Sequence, residues 1–489
     1  MSTPTSVEDG APQGAPADAE PRNGFDKFFE ISKRGSTVGR EIRGGIVTFV
    51  TMAYIVILNP IILSGSKDVV GNTLNFAEVG AATSLTAGVM TVLIGLFARV
   101  PFGIAAGLGI NSFLAVSVVG QVTWPEAMGL VMINGIIIVI LGATNVRTAI
   151  FMAVPQSLKA AITVGIGLFI AFIGFVDSGF VTRTAGGPPV QLGDAGSLTS
   201  VPTLIFVVAV LLIGILVARR VPGGILIGIV VMTVVSVIVQ AILHLGNSPK
   251  ASGDWHMAIP QFAGQIVQMP NLALVGQFDL FGAFARIGAL AALMLVFTLV
   301  FSNFFDAMGT MTGLAKEAGI AKADGTFPRL RAAFVVEGFG AVAGGATSTS
   351  SNTVYIDSAS GIGEGARTGL AASVVGVLFL LSMFLTPLTS IVPIEVGSAA
   401  LVVVGAMMMG QVREISFDKF NIALPAFLTI VTMPLTYSIA NGIGVGFISY
   451  AVINAFSRNA KSVHWLMWVV AAGFLLYFAR GPIELFMGH

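Results

Sequence analysis

GGATSTSSNTVYIDSASGIGEG, residues 344–365, is flanked by apolar runs yet holds an unbroken polar stretch, Thr347 to Thr353, then Val354-Tyr355-Ile356 and an acid, Asp357. Hydroxyl and amide side chains at that density are costly in hydrocarbon unless they face protein or a water-filled cavity. An extended stretch leading into a half-helix meets that demand. Backbone N–H groups and the positive helix end then point at a ligand near the bilayer midplane. An earlier stretch, PFGIAAGLGINSFLAVSVVG (101–120), is interrupted in the same manner, with Gly103, Gly107 and Gly109 ahead of Asn111 and Ser112. A serine- and threonine-lined helix contact accounts for one such segment. Two in corresponding places point to a site.

Outward from these stretches the chain is hydrophobic almost throughout. Of 489 residues, 55% are hydrophobic and 10% charged, and the mean hydropathy is +0.91; soluble domains carry about a quarter charged residues. Apolar runs long enough to span recur at 44–63, 80–98, 102–121, 126–143, 159–176, 201–218 and 224–243. After a polar break they resume at 288–306, 328–346, 349–366, 370–390, 395–411, 421–437, 439–456 and 463–480, the last being either an extra crossing or a sign that a neighbour is a half-helix. The fold class is therefore an all-α polytopic membrane protein. Residues 1–24 read as a disordered tail without the apolar run of a cleavable signal, so insertion is expected to rely on the first span. Residues 25–43 read as an amphipathic segment on the membrane surface. Residues 44–243 and 288–489 form two halves, joined by an outer connection at 244–287.

Charge supports this threading. With a cytoplasmic N-terminus, one face receives Arg22, Lys27, Lys33, Arg34, Arg40, Arg43, Arg99, Arg147, Lys159, Arg219 and Arg220, then Lys316, Lys322, Arg329, Arg331, Arg367, Arg413, Lys419, Arg458 and Lys461. The other face receives only Lys67, Arg183, Lys250 and Arg286, the bias expected of a multi-pass protein of the cell membrane. Val154-Pro155 and Val392-Pro393 open matching segments of the two halves, and an odd number of spans per half makes such repeats inverted.

Three acids lie inside spans: Asp306 in LVFSNFFDAMGTMTG, Glu337 in AAFVVEGFGAVAGG, and Asp357. Each costs about 2.5–3.5 kcal/mol on insertion scales and is a candidate for binding or proton coupling, with Glu337 equally able to brace helices. Glu364 and Glu395 lie nearer span ends and are expected to be solvated. The absence of Lys or Arg deep in any span disfavours an anionic cargo and favours a neutral solute with N–H donors, or a cation. Phe304 and Phe305 beside Asp306, with Tyr54 and Tyr355, offer rings for a flat heterocycle, although packing explains any single phenylalanine of 35 equally well.

Other chemistry is missing from the sequence. There is no cysteine, and the four histidines (His244, His256, His464, His489) show no metal-ligand spacing. No Walker loop is present, and Gly340 and Gly344 read as close helix packing. No enzyme activity, cofactor or nucleic-acid partner is expected.

REIRGGIVTFVTMAYIVILNP (40–60), GLGINSFLA (107–115), FFDAMGTMTGLAKEAG (304–319), TVYIDSASGIGEGARTGL (353–370) and MPLTYSIANGIGVGFISY (433–450) together resemble the AzgA-like purine permeases, a branch of the nucleobase–cation symporters. The resemblance runs nearly the whole length after residue 25. It implies about 14 transmembrane segments as two inverted seven-span repeats, with short strands in the interrupted third and tenth. Segments 1–4 and 8–11 would form a core, 5–7 and 12–14 a gate, and the protein would pair as a homodimer through its gates. It implies proton-coupled import of hypoxanthine or guanine, with adenine, xanthine, uracil, Na⁺ coupling and uncoupled passage left open. The family's acid in span eight falls on Asp306 and that of span ten, usually Glu, on Asp357. The expected substrate site is Asp306, Asp357, Asn352, Ser351, Thr353, Phe305, Asn111 and Tyr54, with Asp306, Asp357 and Glu337 for the proton. The chain departs from the pattern at Asn303, where relatives often carry Asp, and at Asn352, where they often carry an apolar residue.

Overall fold

A computed structural model describes residues 23–144, 154–184, 189–194, 196–246, 253–256, 259–262, 264–322, 326–457 and 463–487. The expected tail, up to residue 22, and Arg147, Lys250, Arg458 and Lys461 lie outside the described residues.

The chain enters through a short helix α1 (Gly24–Phe29), whose first turn is capped by the Asn23 side chain accepting from the Asp26 N–H at 2.8 Å. Helix α2 (Val38–Met52) starts where the Thr37 hydroxyl accepts from the Arg40 N–H. Residues 38–43, expected on the membrane surface, therefore continue the first span. Tertiary structure fixes this start, because the buried Glu41 carboxylate accepts the backbone N–H groups of Arg367 (2.8 Å) and Thr368 (3.1 Å). The span breaks at Ala53-Tyr54 and resumes as α3 (Ile55–Ser64).

There follow α4 (Phe76–Phe97), β1 (Ile104–Ala106), α5 (Leu108–Phe113), α6 (Trp124–Ala143) and α7 (Gln156–Asp177). A hairpin, β2 (Val181–Arg183) with β3 (Val190–Leu192), was not foreseen from the sequence. Next come α8 (Val201–Ala218), α9 (Gly224–Leu243) and α10 (Gly282–Ile287), the last within the outer connection. The second half runs α11 (Ala289–Glu317), α12 (Leu330–Ala346), β4 (Asn352–Val354), α13 (Ser358–Gly363), α14 (Gly369–Ser382), α15 (Ile394–Met408), α16 (Phe420–Leu435), α17 (Ile439–Phe456) and α18 (Trp465–Met487). Ten helical stretches of the described residues are long and apolar enough to cross a membrane, and shorter apolar helices accompany them.

Helices of the two halves pack against each other: α4 on α14, α6 on α12, and α7 on α15. Glycine makes the approach possible. A Cβ at Gly95 would stand 2.5 Å from the Gly369 carbonyl oxygen, and one at Gly167 2.8 Å from that of Gly405. Without a hydrophobic drive between helices in lipid, such close backbone packing holds spans together. On α8 and α9 large apolar side chains such as Leu211, Ile215, Val234 and Ile242 stand exposed, the composition of a lipid-facing surface.

The interrupted segments meet at the centre. Strands β1 and β4 pair antiparallel, Ile104 opposite Val354 and Ala106 opposite Asn352. All six strand residues are buried. A strand this short leaves main-chain groups unpaired, and Thr91 of α4 supplies the remedy: its hydroxyl lies 2.9 Å from both the N–H and the carbonyl oxygen of Ile104.

Candidate functional site at the strand crossing

Each strand feeds directly into a half-helix, β1 through Gly107 into α5 and β4 through Asp357 into α13. The crossing is tied by the Gly107 N–H donating to the Ser351 carbonyl oxygen and the Tyr355 N–H donating to that of Gly103, both at 2.9 Å. The Tyr355 hydroxyl donates across the seam to the Ala106 carbonyl oxygen at 2.5 Å, and the Ser358 hydroxyl accepts the Gly103 N–H at 2.9 Å. The polar run leading into β4 passes through two serines in the left-handed region, Ser348 (φ 57°) and Ser350 (φ 69°). Non-glycine residues pay roughly 1–3 kcal/mol for a sparsely populated backbone region, and tolerate it where the surroundings over-determine the fold. Here they do. A Cβ at Gly344 of α12 would stand 1.7 Å from the Ser350 carbonyl oxygen, so Gly344 serves close packing, as its spacing from Gly340 implies.

Asp357, partly buried at the head of α13, takes a hydrogen bond from the Tyr54 hydroxyl at 3.3 Å. That pairing explains the break in the first span: the turn at Ala53-Tyr54 lies beside Asp357, whose carbonyl oxygen also accepts from the Thr51 hydroxyl at 3.3 Å. Asp306 is partly buried on α11, which packs against α5, β4 and α13. Glu337 on α12 is fully buried and close enough to Asp306 for their charges to interact. Tyr355 is likewise within electrostatic reach of both Asp306 and Asp357. Thus the in-span acids and both tyrosines gather at one crossing.

The other expected residues divide. Thr353 shares its strand face with Ser351, whose hydroxyl accepts from Asn134 Nδ2 of α6 at 3.5 Å. Asn352 alternates to the opposite face. Its amide donates to the Thr349 hydroxyl (3.4 Å) and the Ser350 carbonyl oxygen (3.3 Å), close against Gly344 of α12. Asn111 is wholly buried and donates to Asn59 Oδ1 at 2.6 Å, while Asn59 donates to the Thr83 hydroxyl (2.8 Å) and the Thr349 carbonyl oxygen (3.2 Å). This network clamps the broken first span to both interrupted segments. The Phe305 side chain lies outside the described residues; Phe304 is packed away at 2% exposure.

Asn59 and Asn134 escaped the sequence reading. The available signal was an amide alone in an apolar run, as in VILNP (56–60) and VMINGII (131–137). Hydrogen-bonding capacity stays unspent within the protein at Asn303 Oδ1 and Nδ2, Asn134 Oδ1, Thr353 Oγ1 and Ser350 Oγ, all buried. Such atoms cost about 1–3 kcal/mol each when unmatched, and their concentration around the crossing makes it the candidate site.

Two cavities open elsewhere, of about 220 Å³ beside the β2–β3 hairpin and about 280 Å³ between Asp68, Trp124 and Gln277. Neither is bordered by the in-span acids, and chemistry rather than volume locates the site. Among the described residues no group of three or more His, Asp or Glu could hold a metal ion. One expectation is corrected here: Glu395, expected to be solvated at its span end, is fully buried and bonded to His256. Glu364 is partly exposed and paired with Arg43 at 2.9 Å.

Comparison with known proteins adds the following. A profile described as the Permease family matches residues 39–445. A putative permease of Methanocaldococcus jannaschii is 40% identical over 455 residues, covering 93% of this chain and 98% of its own. The guanine/hypoxanthine permease PbuG of Bacillus subtilis is 37% identical over 460 residues, covering 92% and 98%. The transmembrane domain of the cyanobacterial bicarbonate transporter BicA superposes with a TM-score of 0.60 at 17% identity, over 82% of this chain and 96% of that one, a likeness of fold alone.

Proposed function

The chain belongs to the Permease family, a family of multi-pass membrane transporters and not of enzymes, and from that premise we propose that it imports purine nucleobases, hypoxanthine or guanine foremost, together with protons. The observation that supports the cargo is the crossing itself: Asp306 lies on α11, which packs against the polar strand β4 and α13, and Asp357 stands at the head of α13. Segments 44–63, 101–120, 289–315 and 332–366 contain no Lys or Arg. A neutral base with N–H donors suits that set; an anion does not.

In this reading Asp306 accepts the N–H edge of the base. Ser351 and Thr353 complete the contacts from β4, Thr353 with its unmatched Oγ1. Phe305 and Tyr54 supply ring contacts. Asn111 and Asn352 brace the floor. The travelling proton resides on Asp306 or Asp357, with Glu337 close enough to share its charge balance. Binding of a proton with the neutral base cancels one carboxylate charge of the buried site, and a less charged site crosses an apolar barrier at lower cost.

The pairing of α4 with α14 and of α6 with α12, with β1 against β4 between them, supports two inverted seven-span repeats and about 14 spans. In that plan segments 1–4 and 8–11 form the core that carries the site. Segments 5–7 and 12–14 form a gate against which the core slides as an elevator. The N-terminus is cytoplasmic, and the exposed apolar faces of the gate serve lipid and a second copy of the chain.

The test is uptake of labelled hypoxanthine into proteoliposomes under an inward proton gradient, with and without a protonophore. Saturable accumulation that collapses with the gradient is the expected result. Competition by uracil but not by guanine would replace the purine with a pyrimidine. Accumulation that needs Na⁺ rather than the proton gradient would replace the coupling ion.

A further inference from the structure

On the outer face, away from the strand crossing, the connection between the halves is fastened at two places. One end lies on the gate. Trp255 is completely buried, and its indole N–H donates to Gln240 Oε1 of α9 at 2.8 Å. Next to it, the His256 N–H donates to Glu395 Oε1 at 3.1 Å, and ring Nδ1 stands 2.8 Å from the same oxygen. The other end lies on the core. The Gln268 N–H donates to the Phe384 carbonyl oxygen (3.0 Å), the Gly276 N–H to that of Ala346 (2.8 Å) and the Asp279 N–H to that of Pro125 (2.9 Å). The Ser348 hydroxyl, in the polar run that becomes β4, donates to the carbonyl oxygens of Leu274 (3.2 Å) and Gln277 (3.3 Å). The described parts of the connection thus hold to the gate at Trp255 and His256 and to the root of the site between Gln268 and Asp279.

The gate anchor pairs an imidazole with a buried carboxylate. Glu395, in the first turn of α15, is buried at 0% exposure, and its second oxygen and the Ser398 hydroxyl one turn on have no protein partner. His256 packs on Gly179, where a Cβ would stand 2.9 Å from ring Cε1, and keeps 26% of its side chain exposed. The charged groups around it come from every neighbouring element: Glu395 from α15, Asp177 from the end of α7, and Arg183 and Asp194 from the hairpin that borders the same cavity. Tyr437, beyond α16, faces Asp177, while Asp254 is turned away to accept the Gly246 N–H at 2.9 Å.

We propose that His256 and Glu395 form a proton-operated latch on the outer face, which holds the connection to the gate when the imidazole is charged and loosens it when the imidazole is neutral. The inference rests on the division into core and gate. The hydrogen bond to Glu395 lifts the His256 pKa above its ordinary 6.5, with the charges of Glu395 and Asp177 adding and burial opposing. The group's folded-state pKa is raised. Its contribution is therefore full below 6.5 and is lost as the pH climbs through the raised value, so the latch is set in acid and released in alkali. Because the connection also holds the Ser348 hydroxyl, the outer pH reaches the polar run of the site without a second ligand.

The test has two arms on the full chain in lipid. The sequence holds four histidines, so the His256 ring signal is identified in NMR spectra by its loss in His256→Gln. Its titration midpoint is expected above 6.5 and is expected to fall toward that value in Glu395→Gln; a midpoint at or below 6.5 in the unaltered chain overturns the latch. In the second arm labelled hypoxanthine exchanges across liposomes with equal pH on both sides, from about 5.5 to about 8.5, so that no gradient drives it. A step of about twofold or more at the His256 midpoint is expected, lost in His256→Gln with the half-saturating concentration unchanged. A profile without that step, or a step that survives the substitution, overturns the proposal. The NMR arm needs no transport, so a failure of purine uptake leaves the latch separately decided.

Discussion

The two interrupted segments share a backbone plan and differ in almost everything else. β1 is Ile104-Ala105-Ala106, apolar and buried, and it passes through Gly107 into α5. β4 is Asn352-Thr353-Val354, entered through left-handed serines and followed by an aspartate at the head of α13. The first contributes shape. Its one buried amide, Asn111, gives its Nδ2 to Asn59 and keeps only its Oδ1 unmatched. The second contributes chemistry, with Asp357 partly open and Thr353 Oγ1 unspent. In the proposed site the second half holds the ligand and the first serves as its backrest.

If chemistry resides with β4 and the helices it touches, Asp306→Asn is expected to cut uptake efficiency by about 100-fold, since a charge-assisted hydrogen bond is worth about 1.5–3 kcal/mol before any loss of proton coupling is added. Wild-type affinity and rate in that variant would transfer the binding role elsewhere. Asp357→Asn is expected to cost about tenfold, and Tyr54→Phe a lesser part of it, because only the 3.3 Å bond that orients the acid is lost. Gly344→Ala tests packing: with 1.7 Å to the Ser350 carbonyl oxygen the backbone must shift. A loss of about 1–3 kcal/mol is expected, read as earlier thermal unfolding in detergent, with base affinity falling in step. Smallest of all, Ala105→Ser opposite Thr353 is expected to change the half-saturating concentration by less than about twofold. A large effect there would mean that β1 also touches the base.

The sequence made the crossing legible because hydrocarbon punishes polar runs, so TSTSSNT and the glycines of 103–109 could not be ordinary span. It also placed the helices, since span length is set by the bilayer. It did not foresee that Glu41 caps another helix, that Asn59 joins Asn111 to Thr349, or that Glu395 is buried under His256. Each of those depends on a partner between 50 and 330 residues away, and no local pattern encodes it. The β2–β3 hairpin was missed for a different reason: three-residue strands carry too little alternation to read.

The register of the seam sets an order of assembly. Ile104 cannot meet Val354 until the chain between them has been made and threaded through the bilayer. During synthesis the first half is therefore made before β4 exists to pair with β1. The proposed ligand site is a late product of biogenesis. A chain stopped before residue 354 can contain Tyr54, Asn111 and Asp306 and still have no floor on which to assemble them.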